Sequence, residues 1–462
     1  MSGVGGRAAK GSGAGGRETR EVSAARRAAF EILRRVEEEG SFAAPLLANT
    51  TGALAAEDRG LCYELVLGVL RRRLWLDRAI EHFAGRSVDK LDPPALRALR
   101  LGLYQLRFLS RVPARAAVNE SVNLAHLHRL RSAAPFINAV LRRAARETEF
   151  DPSTLTSDPL EKIAVGTSHP LWLVRRWAAE FGPAEAEAFA RANNEPAPAS
   201  FRVNNLKDAD GSALERLRAA GVRVGPSRVA PGAFRAEGDA AGAALRALAA
   251  GGLVYLQDEA SQLVAHVLGA RAGERVLDAC AAPGSKTTQI AALAGDGALV
   301  AAGDLHEHRL RIVEESCARL GVRGVRTVAL DALAALPFEE GAFDRILVDA
   351  PCTGTGTLRH NPEIRWRLRP EDIIELSRVQ RGILSEAARV VRPGGLLVYS
   401  TCSVEKDENE AVVASFLDSH RDFRQVRASP APDSILLPDG AARTWPHRDD
   451  ADGFYVAALS RE

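Results

Sequence analysis

Cysteine is scarce in this chain of 462 residues: there are five, an odd number, and no two stand as a C-x-x-C pair. That count argues against a disulfide framework or a zinc knuckle and points to free thiols in a reducing cytoplasm. No apolar run approaches the roughly 20 residues that cross a bilayer, and the N-terminus lacks a signal-type apolar core. No membrane partner is expected. The phosphate-cradling P-loop is missing, because Ser285 and Cys280 occupy the places of its glycines, and the dinucleotide GxGxxG is missing too. Nothing suggests a metal site. A large charge of one sign is also absent, the net being +2, while apolar residues make up 46%, enough for a sizeable core.

The charge that is present is unevenly spread. Residues 1–20 are Gly-rich and basic with almost no large apolar side chain, so they read as a disordered tail. Residues 21–150 carry 21 Lys and Arg against 15 Asp and Glu, an excess of six. Their periodicity is helical: Ala29, Ile32, Leu33 and Val36 share one face, as do Leu65, Val66, Val69 and Leu70. An all-helical bundle is expected there, with an anionic partner or a plain solvated face to account for the basic excess. Residues 151–250 read as a small mixed domain in contact with RNA. Ser168-His-Pro-Leu-Trp172 opens a helix, Asn193-Asn-Glu-Pro makes a turn and Phe201-Arg-Val a short strand.

Residues 251–462 alternate apolar runs with helical patterns. Strands are expected at 275–277, 299–302, 325–329, 345–348 and 395–399. The alternation specifies a parallel sheet with helices on both faces, whose ligands bind at the carboxyl ends of the strands. After the first strand, Asp278 leads into the small-residue loop Cys280-Ala281-Ala282-Pro283-Gly284-Ser285, and Lys286 opens a helix. A strand, a tight loop and a helix N-terminus let backbone N–H groups meet a nucleotide-like ligand closely. Asp304 ends the second strand, placed to accept from ribose hydroxyls, and Asp331 follows the third, placed for an adenine amino group. The fourth strand runs into Asp349-Ala-Pro-Cys352 and the fifth into Ser400-Thr-Cys402, each followed by a polar loop. On neighbouring strands about 4.8 Å apart, both thiols can face one planar substrate. Thiols in such loops are expected to be solvated and acidic, whereas Cys62 and Cys317 sit in helical patterns as inert core.

These words resemble known families. Asp58-Arg-Gly-Leu-Cys-Tyr-Glu-Leu, Ala116-Ala-Val-Asn-Glu-Ser-Val and Phe136-Ile-Asn-Ala-Val-Leu-Arg-Arg resemble the NusB family of RNA-binding helical domains. The loop at 280–286, Asp349-Ala-Pro-Cys-Thr-Gly-Thr-Gly, Arg359-His-Asn-Pro-Glu-Ile-Arg-Trp and Tyr399-Ser-Thr-Cys-Ser-Val resemble the NOL1/NOP2/Sun family of RNA cytosine-C5 methyltransferases. The likeness is to that family's bacterial 16S rRNA branch. It implies a Rossmann-like S-adenosyl-L-methionine-dependent methyltransferase domain at 251–462, behind the all-α NusB-like bundle and the small mixed linking domain. The resemblance implies cofactor binding by Cys280, Ala281, Ala282, Pro283, Gly284, Ser285 and Lys286, with Asp304, Asp331 and Asp349. It further implies that Cys402 attacks cytosine C6, that Asp349 steadies the base and that Cys352 assists release. Lys286 is expected to contact Asp349 or the substrate pocket. Ser285 departs from the family's usual Gly, which alters the loop if that position needs φ > 0. The partner is 16S rRNA, unassembled or partly assembled, met by a monomer.

Other readings stay open at this point. Cys352 is the nucleophile if the mechanism follows DNA cytosine methyltransferases, and the RNA is a different one, such as tRNA, if the substrate differs. A non-catalytic RNA-binding assembly factor would keep the fold alone.

Overall fold

A computed structural model describes residues 22–128, 130 and 132–462. The expected tail at 1–20 lies outside the described residues. The chain divides into two compact units, 1–69 with 76–152, and 70–75 with 153–462.

The first unit is built of α-helices: Ala24–Glu38, Ala43–Thr50, Ala56–Arg71, Arg73–Ala84, Pro93–Phe108, Ala114–Leu127 and Ala134–Arg146. The apolar stripe read from the sequence is the packed face, with Ala29, Ile32, Leu33, Leu65 and Val66 almost fully buried. Two buried arginines are paired: Arg97 meets Glu37 and Glu38, and Arg100 meets Asp77 and Glu37. By contrast, Arg115, Asn119, Arg142 and Arg146 are exposed around one groove of about 470 Å³.

The second unit opens with helices Pro159–Thr167, Leu171–Phe181 and Pro183–Ala192. Trp177 is buried against Phe189 and Trp445. An antiparallel sheet follows, of β1 (Ala199–Val203), β2 (Arg223–Pro226), β3 (Ala233–Glu237) and β4 (Val254–Leu256), in the order β2-β3-β1-β4. Helices Ser212–Ala219 and Ala241–Ala250 complete a βαββαβ unit around Phe201, Leu217, Leu245 and Val254.

The large sheet contains β5 (Arg275–Asp278), β6 (Leu299–Asp304), β7 (Val325–Ala329), β8 (Phe343–Asp349), β9 (Val391–Thr401), β10 (Phe423–Val426), β11 (Ala442–Arg443) and β12 (Tyr455–Arg461). Its order is β10-β12-β9-β8-β5-β6-β7, with β11 paired to β12. All five expected strands are present and run parallel. The sheet as a whole is mixed, not parallel, because β12 enters antiparallel beside β9 and pairs β10 and β11 antiparallel as well. Side chains alternate between two cores. Val276, Leu347 and Val398 face one with helices Glu259–Leu268 and Ser285–Leu293. Leu277, Ile346, Val348, Leu397 and Tyr399 face the other with helix Pro370–Val390. After β5 the chain builds outward through β6 and β7, then returns to β8 on the other side of β5. That reversal opens a crevice at the carboxyl ends of β5, β6 and β8.

Candidate active site

The loop after β5 is fixed by short bonds. Ala281 N–H donates to Gly303 O at 2.7 Å, and Gly284 N–H donates to Ala281 O at 2.7 Å. Gly284 has φ +99°, and a Cβ there would lie 3.1 Å from Val313 Cα, so this position demands glycine. Ser285 is the first residue of helix Ser285–Leu293 and is not among the positive-φ residues. The serine therefore departs from the family without straining the loop. Below it, Asp278 Oδ2 accepts from Thr287 Oγ1 at 2.7 Å, while Oδ1 is buried without a partner. Burial pushes this carboxyl up to about 7 against the Thr287 bond, and the charge of Asp349 adds to the rise.

A cavity of about 440 Å³ occupies the crevice, walled by Cys280, Ala282, Asp304, Asp331, Asp349, Cys352 and Cys402 among others. Seven of the sequence-predicted residues thus come together. Ala281, Pro283, Gly284, Ser285 and Lys286 shape the loop without lining the cavity. Asp304 is buried and accepts from His306 N–H at 3.0 Å and from Arg309, whose Nη1 lies 3.1 Å away. Arg309 Nη2 also donates to Ala282 O at 3.1 Å, so one side chain joins the loop to the acid. Asp331 is exposed and accepts from Leu333 N–H at 2.9 Å.

Asp349 sits where β8 and β9 lie side by side, in register with Ser400. Its Oδ1 accepts from Ser400 Oγ at 2.8 Å and its Oδ2 from Lys286 Nζ at 2.7 Å. Burial works against the Lys286 charge, yet the Asp349 carboxylate outweighs it and the ammonium is held above its usual range. The same ammonium lies 5.2 Å from the Phe454 ring centroid.

The thiols of Cys352 and Cys402 stand 3.3 Å apart, both free. A single planar ring in the cavity is within reach of both. The expectation of an acidic Cys352 is overturned: its hydrogen bond with Cys402 and its burial push the thiol well up. Cys62 and Cys317 are buried helical thiols, each pushed up to about 11 by burial, in keeping with inert core. Burial also raises the Cys280 thiol.

Sequence reasoning missed Arg309, whose tie to Ala282 spans 27 residues with no local signal. It missed Glu408 and Asn409, which bond to the loops bearing both thiols. It also missed a cluster of Asp258, His360 and Asp452, whose ligand atoms lie within 4.8 Å of one another. Asp258 there accepts from Ala260 N–H and Asp452 N–H, as an acid capping helix Glu259–Leu268 does. A second cavity, of about 380 Å³, is walled by Arg202, Asn205, Asp208, Gln262, His266 and Gln289, among others, and takes in none of the predicted site residues.

Known proteins match this chain over most of its length. Residues 23–146 match the NusB family, 169–241 the ferredoxin-like domain of RsmF/B-like methyltransferases, and 265–460 the family of 16S rRNA methyltransferase RsmB/F. A probable ribosomal RNA small subunit methyltransferase B of Bacillus subtilis is 36% identical over 444 residues, covering 94% of this chain and 98% of its own. The ribosomal RNA small subunit methyltransferase B of Vibrio cholerae is 34% identical, with 95% and 97% covered. Among solved structures, PH0851 superposes with a TM-score of 0.82 at 29% identity, covering 95% of this chain and 98% of its own. A methyltransferase homolog from Pyrococcus horikoshii gives 0.57 at 28%, covering 66% of this chain and all of its own. The three domains are thus matched in order along the chain, and the chain belongs to the 16S rRNA methyltransferase RsmB/F family.

Proposed function

We propose that this protein methylates C5 of a cytosine in 16S rRNA, cytosine 967 being the position that the resemblance implies, through a covalent Cys402–C6 adduct. The observation that carries the reading is the pair of thiols 3.3 Å apart beside Asp349, inside one cavity. Cytosine C5 is a poor nucleophile. A thiolate adding to C6 makes C5 enamine-like, which is the reason a methyltransferase of this kind needs a cysteine at all.

The crevice fits S-adenosyl-L-methionine in its donor set. Cys280 and Ala282 offer a close-packed floor, Asp304 stands for the ribose hydroxyls and Asp331 for the adenine. When bound there, the cofactor supplies an electrophilic methyl group. The loop from Cys280 through Ala281, Ala282, Pro283, Gly284 and Ser285 to Lys286 holds it. Asp349, steadied by Lys286 and Ser400, hydrogen-bonds the N3 side of the base by accepting from the neighbouring 4-amino group. Cys402 attacks C6. Cys352, held as a thiol by its hydrogen bond with Cys402 and its burial, stays out of the attack. Once Cys402 is bound to C6, Cys352 gives its proton to solvent, its thiolate takes the C5 proton, and the C6–S bond breaks to return Cys402 as a thiolate.

The functional division follows the notion of two RNA-gripping parts ahead of a catalytic one, at 21–150, 151–250 and 251–462. Among the described residues no helix is long and apolar enough to cross a membrane, and we read the protein as a cytoplasmic monomer acting on free or partly assembled rRNA. Transfer of labelled methyl from S-adenosyl-L-methionine into a 16S rRNA fragment, followed by mapping of the modified cytosine, tests the reading. Label at a base other than cytosine would overturn it.

A further inference from the structure

One buried dipeptide joins the two thiol loops. Glu408 and Asn409 are both fully buried, and neither lines the cavity. Glu408 Oε1 accepts from Thr353 N–H and from Gln380 Nε2, each at 2.9 Å. Its Oε2 accepts from Thr353 Oγ1 and from Ser403 Oγ, each at 2.5 Å. Gln380 Nε2 also donates to Pro351 O at 2.9 Å, so the residues on both sides of Cys352 are tied to Glu408. Asn409 treats Cys402 the same way: its Oδ1 accepts from Thr401 Oγ1 at 2.5 Å and its Nδ2 donates to Ser403 O at 2.9 Å.

A carboxylate this deep is costly unless all its bonds are made. Here every side-chain bond runs to a thiol-bearing loop or to the helix Pro370–Val390 behind it. The bonds are divided unequally. Three of the four at the Glu408 carboxylate hold the Cys352 loop, directly or through Gln380, whereas both Asn409 side-chain bonds flank Cys402.

We propose that Glu408 and Asn409 are positioning residues for the two-thiol reaction, Glu408 setting Cys352 for release and Asn409 setting Cys402 for attack. The inference rests on the reading of Cys402 as nucleophile. It predicts opposite effects of two conservative changes. Glu408→Gln removes the charge and one acceptor oxygen, loosening Cys352 first. Asn409→Asp keeps the acceptor for Thr401 and loses the donor to Ser403 O.

The test incubates full-length protein with S-adenosyl-L-methionine and a 16S rRNA fragment and measures three quantities. These are the denaturant-resistant protein–RNA complex on a gel, methylation in single and in multiple turnover, and the folded fraction by circular dichroism. Glu408→Gln should raise the trapped complex severalfold and lower multiple turnover about tenfold, while Asn409→Asp should lower both trapped complex and single-turnover methylation about tenfold. Trapped complex that matches wild type in both variants, or that merely follows the folded fraction, overturns the proposal. If wild-type protein methylates the RNA and Cys402→Ala does so equally well, the nucleophile reading fails and this inference with it.

Discussion

Lys286 Nζ lies 2.7 Å from Asp349 Oδ2, and the pair is largely sheltered, with 10% and 26% of the two side chains exposed. The ammonium leaves the start of helix Ser285–Leu293 and crosses to the next strand, so an ion pair ties the segment after β5 to the end of β8. Lys286→Met strips Asp349 of its cation and leaves Ser400 as its remaining side-chain donor. Breaking a sheltered pair from one side should cost about 3 kcal/mol. Urea unfolding measures it, and an unchanged midpoint would contradict the assignment.

Asp304 carries the ribose in this account. Asp304→Ala should weaken S-adenosyl-L-methionine binding by about 1–3 kcal/mol. Calorimetry showing wild-type affinity would remove Asp304 from the site.

The five parallel strands were legible because each is an apolar run ended by a polar or small residue, and the strand ends then pointed to Asp304, Asp331, Asp349, Cys352 and Cys402. The antiparallel return of Tyr455–Arg461 was not legible: an apolar run by itself says nothing of the direction in which its strand joins the sheet. Glu408 and Asn409 stand in Glu405-Lys-Asp-Glu-Asn-Glu, which reads as solvated surface; only tertiary contacts bury them. The Cys352 thiol rises because of a contact with Cys402, 50 residues away, which no local pattern encodes.

Asp278 makes stability depend on pH. Its carboxyl is raised from 3.8 to about 7, mainly by burial. The folded state thus holds this proton more tightly than the unfolded chain. The contribution is full below about pH 4 and is lost as pH climbs toward 7. Asp278→Asn should remove that slope, so the wild-type protein loses stability relative to the variant between pH 4 and 7. Parallel urea midpoints across that range would contradict the assignment.

Arg115, Arg142 and Arg146 surround one groove in the helical unit and are all exposed. Changing all three to Ala should make the salt dependence of RNA binding shallower by about 2 in log–log slope, as for three single-strand phosphates released. Cofactor affinity should stay at the wild-type value. An unchanged slope would make the groove a plain solvated face.

The central claim is the division of labour between the two thiols, and denaturing gels of Cys402→Ala and Cys352→Ala incubated with rRNA and S-adenosyl-L-methionine test it most directly. Cys402→Ala should form no denaturant-resistant complex and transfer no methyl group. Cys352→Ala should accumulate the complex, because the adduct forms and is not resolved. A complex trapped by Cys402→Ala and absent from Cys352→Ala would contradict the account and make Cys352 the nucleophile.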